Sequence, residues 1–164
     1  MTDWRLPVAI AALGSAVLLA AALAFQHLGG LAPCQMCIWQ RWPHAIAVAL
    51  GALALGAGLR WPALAGALVM LAGAGIGAWH AGFEQGWLPG PASCSGAPVG
   101  DLTAEELMAR IMSAPLVRCD EIVWSFAGIS MAGWNAILSL GLALTWFAAF
   151  RAGGRDQARS SASQ

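Results

Sequence analysis

Pro33-Cys34-Gln35-Met36-Cys37-Ile38-Trp39-Gln40-Arg41-Trp42-Pro43 leads directly into a segment without charge that lasts to Leu59. Two cysteines separated by two residues therefore stand at the mouth of an apolar run of roughly the length that crosses a bilayer as a helix. The rest of the chain can be read outward from this junction of a polar opening and an apolar body.

The apolar body recurs. Residues 7–25, 63–81 and 131–150 are further runs of the same kind. Hydrophobic residues make up 59 % of the 164 and charged ones 10 %, with no lysine, too little polar surface to keep a soluble fold in solution. This predicts an all-α membrane protein, a four-transmembrane-helix bundle over residues 1–150 with spans at about 7–25, 43–59, 63–81 and 131–150. A cleaved signal peptide competes for the first run, because a charged start precedes it. Against that reading stand the length of the run and the need of the second segment for a partner helix. The net charge is zero, which gives no general attraction to nucleic acid.

Arg60-Trp61-Pro62 separates the second run from the third, a connection short enough to predict an antiparallel hairpin. Gly73-x-x-x-Gly77 predicts close approach of helices rather than a ligand site. Trp4, Trp42, Trp61 and Trp87 sit at segment ends, as interfacial anchors do.

Between about 83 and 130 the composition changes. Pro89, Pro91, Pro98 and Pro115, most of the acids, and Cys94 and Cys119 fall here, in one long extramembrane loop. Within it Thr103 and Glu106 have the spacing of a capping box, and Leu102 can staple against Leu107. A short amphipathic helix is expected, with Leu107, Met108, Ile111 and Met112 on one face until Pro115 stops it. Residues 151–164, with Arg151, Arg155, Arg159 and a serine-rich end, are expected to be a disordered tail.

The arginines orient the bundle. Arg5, Arg60, Arg151, Arg155 and Arg159 fall on one side of the predicted arrangement, and only Arg41, Arg110 and Arg118 on the other. The excess of positive charge places both termini and the hairpin turn in the cytoplasm. All four cysteines then face the outside, which in a bacterium is the oxidising periplasm.

A CxxC pair alone admits a redox dithiol, half of a zinc site or a simple bridge. Covalent haem needs a histidine where Ile38 stands. Zinc usually takes a second closely spaced ligand pair, and Cys94 and Cys119 are far apart in sequence with no histidine nearby, so no metal site is expected. Reactivity is favoured by the position of Cys34 and Cys37 at a helix start, where free N–H groups stabilise a thiolate. Arg41 lies one helical turn after Cys37, a permanent cation that favours the thiolate further. The alternative for Arg41 is snorkelling to lipid headgroups. Cys94, in Pro91-Ala92-Ser93-Cys94-Ser95-Gly96, has an exposed context suited to attack by another protein's thiol, and a disulfide closing this loop is the structural alternative. His80, His27 and His44 each have the simpler reading of an interfacial hydrogen bond.

Cys34-Gln-Met-Cys37-Ile-Trp-Gln-Arg41, His80-Ala-Gly-Phe-Glu-Gln-Gly-Trp-Leu-Pro-Gly-Pro-Ala-Ser-Cys94 and Arg118-Cys119-Asp-Glu-Ile-Val-Trp-Ser-Phe-Ala-Gly-Ile-Ser-Met131-Ala-Gly-Trp134 together resemble the bacterial disulfide bond formation protein B (DsbB) family, over about residues 6–150. The resemblance implies an inner-membrane enzyme that reoxidises a periplasmic, DsbA-like thioredoxin-fold oxidase. It implies that Cys94 is attacked first, that Cys119 then attacks Cys34, and that Cys37 passes the electrons to a membrane quinone, ubiquinone or menaquinone. By the same resemblance Arg41, His80 and Met131 border the quinone. Gln40 departs from relatives with a carboxylate before the arginine, which puts a proton-delivery role there in doubt. Two other classes remain: a membrane thiol reductase of the vitamin K epoxide reductase type, whose cysteine order differs, and a non-enzymatic subunit with structural disulfides.

Overall fold

In an apolar run, helix formation satisfies every interior backbone N–H and C=O within the segment, and each predicted run is helical. The computed structural model describes residues 4–91, 94, 103–113 and 117–162, with α1 at Arg5–His27, α2 at Gln35–Ala57, α3 at Trp61–Glu84, α4 at Ala104–Ser113 and α5 at Met131–Ala162. Two short strands, β1 (Ser125–Phe126) and β2 (Ile129–Ser130), pair antiparallel just before α5. The four long helices form a ring in which α1 packs on α2 and α5, and α3 on α2 and α5. Among the described residues, three segments are long and apolar enough to cross a membrane: Arg5–His27, Trp61–Glu84 and Met131–Arg155. α2 is not among them; its first three turns carry Gln35, Gln40, Arg41 and His44.

The boundaries follow from caps. α2 starts well before Pro43 because Cys34 is its N-cap, with extended backbone and a sulfur that accepts the N–H of Cys37 at 3.2 Å. Pro43 is retained inside the helix, where it is buried and its ring faces Gly73 of α3. α2 ends at Gly58, whose φ of 65° is the left-handed cap that glycine supplies without strain. Pro62 then opens α3 from its first turn, which gives the expected hairpin. The glycines of Gly73-x-x-x-Gly77 contact two different helices. A Cβ on Gly73 would lie 3.0 Å from Pro43, and one on Gly77 3.0 Å from the backbone of Ala136 in α5.

In the loop, the Thr103 N–H and hydroxyl both donate to Glu106 Oε2 at 2.9 Å, and the Glu106 N–H donates back to Thr103 Oγ1 at 3.3 Å. The capping box is formed, and its donors hold the Glu106 carboxyl below its usual range. Leu102, Pro98 and Pro115, and the side chains of Leu107 and Ile111, lie outside the described residues; Met108 and Met112 are exposed.

One expectation is revised. Residues 151–164 are read from sequence as a disordered tail, yet α5 continues to Ala162. No proline interrupts it, and Ala152 and Gly153 are buried, with a Cβ on Gly153 falling 3.4 Å from Trp4 and 3.5 Å from Arg60, so the backbone beyond Phe150 still packs on the bundle.

Candidate functional site

Where α2 begins, the loop folds back onto the bundle. Cys94 and Cys119 form a disulfide closing a separation of 25 residues. Both are 1 % exposed, in contrast to the exposed context expected for Cys94, because they share one buried cluster with Cys34 and Met36, against which Cys37, Trp39, Phe83 and Val117 pack. Cys34 and Cys37 are free, with their sulfurs 2.9 Å apart. The structure therefore brings together both cysteine pairs that the sequence separates.

Cys34, just before α2, is the better thiolate of its pair. The Cys37 thiol hydrogen-bonded to it is the largest influence. Burial opposes ionisation, and His80 and the Cys37 N–H add to the lowering, which brings Cys34 to about 4. The N-cap position accounts for the last of these, since the sulfur there takes a donor that the first helical turn leaves without an intrahelical partner.

His80, near the end of α3, lies with Nε2 3.6 Å from Cys34 Sγ and 3.1 Å from the Cys119 carbonyl oxygen. Its tautomer follows from its other neighbours. Asn135 Nδ2 donates to Gln40 Oε1 at 2.7 Å, so the Gln40 amide turns its NH2 to His80 Nδ1, also at 2.7 Å, and to the Met36 carbonyl. Nδ1 accepts, and Nε2–H points at Cys119 O and Cys34. The far end of the chain is His44, whose Nε2–H donates to Asn135 Oδ1 at 2.9 Å. Every donor along His44, Asn135, Gln40 and His80 points toward the dithiol. His44 Nδ1 is buried without a partner among the described residues.

These groups border a cleft, partly open to the exterior, between the four long helices and the loop. Leu18, Leu19 and Ala22 supply an apolar wall; Cys37, Arg41, His44 and Met131 reach it from the other elements. Arg41 lines the same cleft as Cys37, and its Nη1 donates to Gln26 Oε1 of α1 at 2.6 Å. Met131, the first residue of α5, is tied by its N–H to the Trp124 carbonyl at 3.2 Å. Arg118, beside Cys119, is engaged by Asp120 through two hydrogen bonds, which lower the Asp120 carboxyl and leave little free cationic bias for the loop sulfur.

Of the residues singled out from sequence, Cys34, Cys37, Cys94, Cys119, Arg41, His80 and Met131 all converge on this end of the bundle. His27 is not part of the cleft lining. Gln40, Asn135, His44 and Glu84 were not assigned to the site. A lone amide in the run 131–150 and a lone acid at the end of α3 were the signals available, since polar groups in apolar helices need partners.

The chain matches the family model described as disulfide bond formation protein DsbB over residues 4–149. It is 33 % identical to disulfide bond formation protein B of Albidiferax ferrireducens over 152 residues, covering 84 % of this chain and 85 % of that one. The protein of the same name from Stutzerimonas stutzeri is 34 % identical, with 82 % and 87 % covered. That from Methylococcus capsulatus is 36 % identical, with 83 % and 90 % covered. No solved structure matches the chain significantly.

Proposed function

Because this chain belongs to the disulfide bond formation protein DsbB family, we propose that it is a protein-disulfide oxidoreductase that reoxidises a periplasmic thioredoxin-fold oxidase and delivers the electrons to a membrane quinone. The observation that carries this reading is the shared burial of the Cys94–Cys119 disulfide and Cys34 in one cluster, since exchange between the pairs requires their sulfurs to meet.

In the working cycle the Cys34–Cys37 pair starts oxidised. A partner thiolate attacks Cys94, breaking the Cys94–Cys119 bond and freeing the Cys119 thiolate. Cys119 attacks Cys34, forming a Cys119–Cys34 disulfide and releasing the Cys37 thiolate at the cleft. The partner's second thiolate displaces Cys94, so the partner leaves oxidised and two electrons stay on this chain. His80 serves the transfer by geometry, its Nε2–H holding the Cys119 carbonyl beside the receiving sulfur. The N-cap favours negative charge on Cys34 when the dithiol is reduced; once Cys34 is bonded to Cys119, charge falls to Cys37.

The cleft fits a quinone ring, with an apolar wall on α1 and polar groups at its margin. A bound quinone would accept the two electrons and two protons. Arg41 and His44 border its place, and the Arg41 guanidinium favours negative charge there. α2 supplies the fourth membrane crossing, and the arginine-bearing turn and termini lie in the cytoplasm of a bacterial inner membrane, with the cysteines in the periplasm.

The purified protein mixed with a reduced thioredoxin-fold oxidase and a soluble quinone should bleach the quinone absorbance; a protein with merely structural disulfides leaves it unchanged. Cys119→Ser should trap the partner on Cys94 as a mixed disulfide visible on a non-reducing gel. Arg41→Gln should slow quinone reduction while leaving partner exchange at Cys94 intact.

A further inference from the structure

His80 is remote from the CxxC motif in sequence, but Cys34 Sγ, Cys37 Sγ and His80 Nε2 lie within 4.8 Å of one another. We propose that the reduced dithiol and His80 form a binding site for a thiophilic divalent cation of the zinc class. A cation there holds both sulfurs as thiolates and, on the relay reading above, arrests electron transfer with the pair reduced.

The distances suit such an ion. With Zn–S near 2.3 Å and Zn–N near 2.0–2.1 Å, tetrahedral geometry sets sulfur and nitrogen about 3.5 Å apart and two sulfurs about 3.8 Å apart. Cys34 and His80 already stand at 3.6 Å. The sulfurs, at 2.9 Å, must separate by roughly 1 Å to reach that spacing. Cys37 borders the cleft, so its side chain has room to turn. Binding moves no electrons. The cation takes the place of the remaining thiol hydrogen, which leaves as a proton, and the disulfide form of the pair has no thiolate to offer.

The polar chain behind His80 provides a second observation. A metal-binding imidazole donates its other N–H to a neighbour, and here Nδ1 faces Gln40 at 2.7 Å. With Nε2 on the metal, Nδ1 carries the hydrogen and Gln40 turns its amide to accept it. Gln40 then donates to Asn135 Oδ1, and Asn135 Nδ2 donates to His44 Nε2. The reversal keeps the bonds among His80, Gln40, Asn135 and His44 at the expense of the 3.3 Å bond from Gln40 to the Met36 carbonyl, and the hydrogen of His44 moves to Nδ1, the atom without a partner among the described residues. Glu84 is the next donor outward: its Oε1 is 3.8 Å from His80 Nε2, and its Oε2 is buried without a partner among the described residues.

The test uses the full chain in detergent, with Cys94→Ser and Cys119→Ser so that no loop thiol competes, and Co²⁺ and Zn²⁺ as probes. The reduced protein should bind one Co²⁺ with sulfur-to-cobalt charge-transfer bands and tetrahedral d–d intensity. Zn²⁺ should displace it and protect both thiols from maleimide. The same chain oxidised at Cys34–Cys37 should bind neither ion. Gln40→Ala should weaken Zn²⁺ by about 10-fold or more as an outer-shell change, and His80→Ala by more than that. Cys37→Ser, close in size to the native residue, should abolish the charge-transfer bands and guards against a misfolded His80 variant. Equal affinity in His80→Ala, equal binding by the oxidised chain, or no binding by the reduced chain overturns the site. None of these readouts involves quinone or the partner oxidase, so failure of the relay reading leaves the metal result standing.

Discussion

Around Trp146 the four long helices close on one another with almost nothing but carbon between them, whereas around His80 the same helices enclose sulfur, imidazole and amide groups and leave a cleft. Trp146 is fully buried in a cluster with Val8, Ala11, Ala47, Ala54, Ala63, Ala67, Met70, Ala143 and Ala149. Its ring lies on Gly66, where a Cβ would come within 2.6 Å, so only glycine admits the indole. Small residues there let the backbones approach and dispersion does the rest. At the other end each polar group requires a partner at a fixed distance and direction. Gln40 bonds His80 and Asn135 at 2.7 Å, and Arg41 bridges to Gln26 of α1. Packing by shape brings helices into contact, while packing by hydrogen bonds sets their separation and can leave room between them. In this bundle, the first region carries stability and the second carries chemistry.

The largest expected effect breaks the first region alone. Trp146→Ala removes the most voluminous fully buried side chain, and such truncations cost about 3–5 kcal/mol. The thermal unfolding midpoint in detergent should fall steeply, while the reactivity of Cys34 in the surviving folded protein stays as it was. A matching loss of Cys34 reactivity would show that the two ends are not independent.

Next comes a break in the polar region. Asn135→Ala leaves Gln40 Oε1 without its partner and His44 Nε2 with only Ser139 Oγ at 3.5 Å, and buried unsatisfied groups cost about 1–3 kcal/mol. The loss should be smaller than for Trp146, but the functional signature should be larger. With Gln40 free to turn, His80 no longer keeps Nε2–H on Cys34, so transfer from Cys119 to Cys34 slows. Rapid-quench measurement of that exchange with the midpoint recorded alongside separates the two effects; equal rates in both proteins would reduce the chain to a structural one.

The apolar region was legible in sequence because period and composition are local. The four runs, the Gly58 and Pro62 hairpin and the Thr103–Glu106 box all depend on residues close along the chain. The polar region was legible only in part. Cys34, Cys37 and Arg41 fall within two helical turns, so their nearness follows from spacing. Cys94, Cys119 and His80 stand out in the sequence by residue type, but what joins them and Met131 to the dithiol there is only the resemblance to a family. Gln40, Asn135 and His44 come from two helices about ninety residues apart, and no local pattern joins an amide in one run to a histidine in another. The expected absence of a metal site rested on there being no histidine near the cysteines in sequence, and the fold places one beside them. The disordered tail is a reading of composition, which does not register the burial of Ala152 and Gly153 against the bundle.

The smallest expected effect is a near absence of change with pH. Cys34 is brought to about 4, first by the Cys37 thiol, against burial, and then by His80 and the Cys37 N–H. A group lowered this far is ionised throughout the neutral range and takes up its proton only as pH falls through the lowered value. In the reduced chain carrying Cys94→Ser and Cys119→Ser, the ultraviolet thiolate absorbance should therefore correspond to one thiolate and stay nearly flat from about pH 7 to about pH 5, falling toward half near 4. An ordinary thiol would show almost no absorbance over that range and would gain it only near its usual value of 9.0. The contrast with the apolar end sharpens here, because Trp146→Ala should leave this titration in place, whereas His80→Ala removes one of the donors and should move it upward. A Cys34 that titrates like a free thiol in the unaltered site would mean that the N-cap and His80 hold the sulfur in position without stabilising its charge.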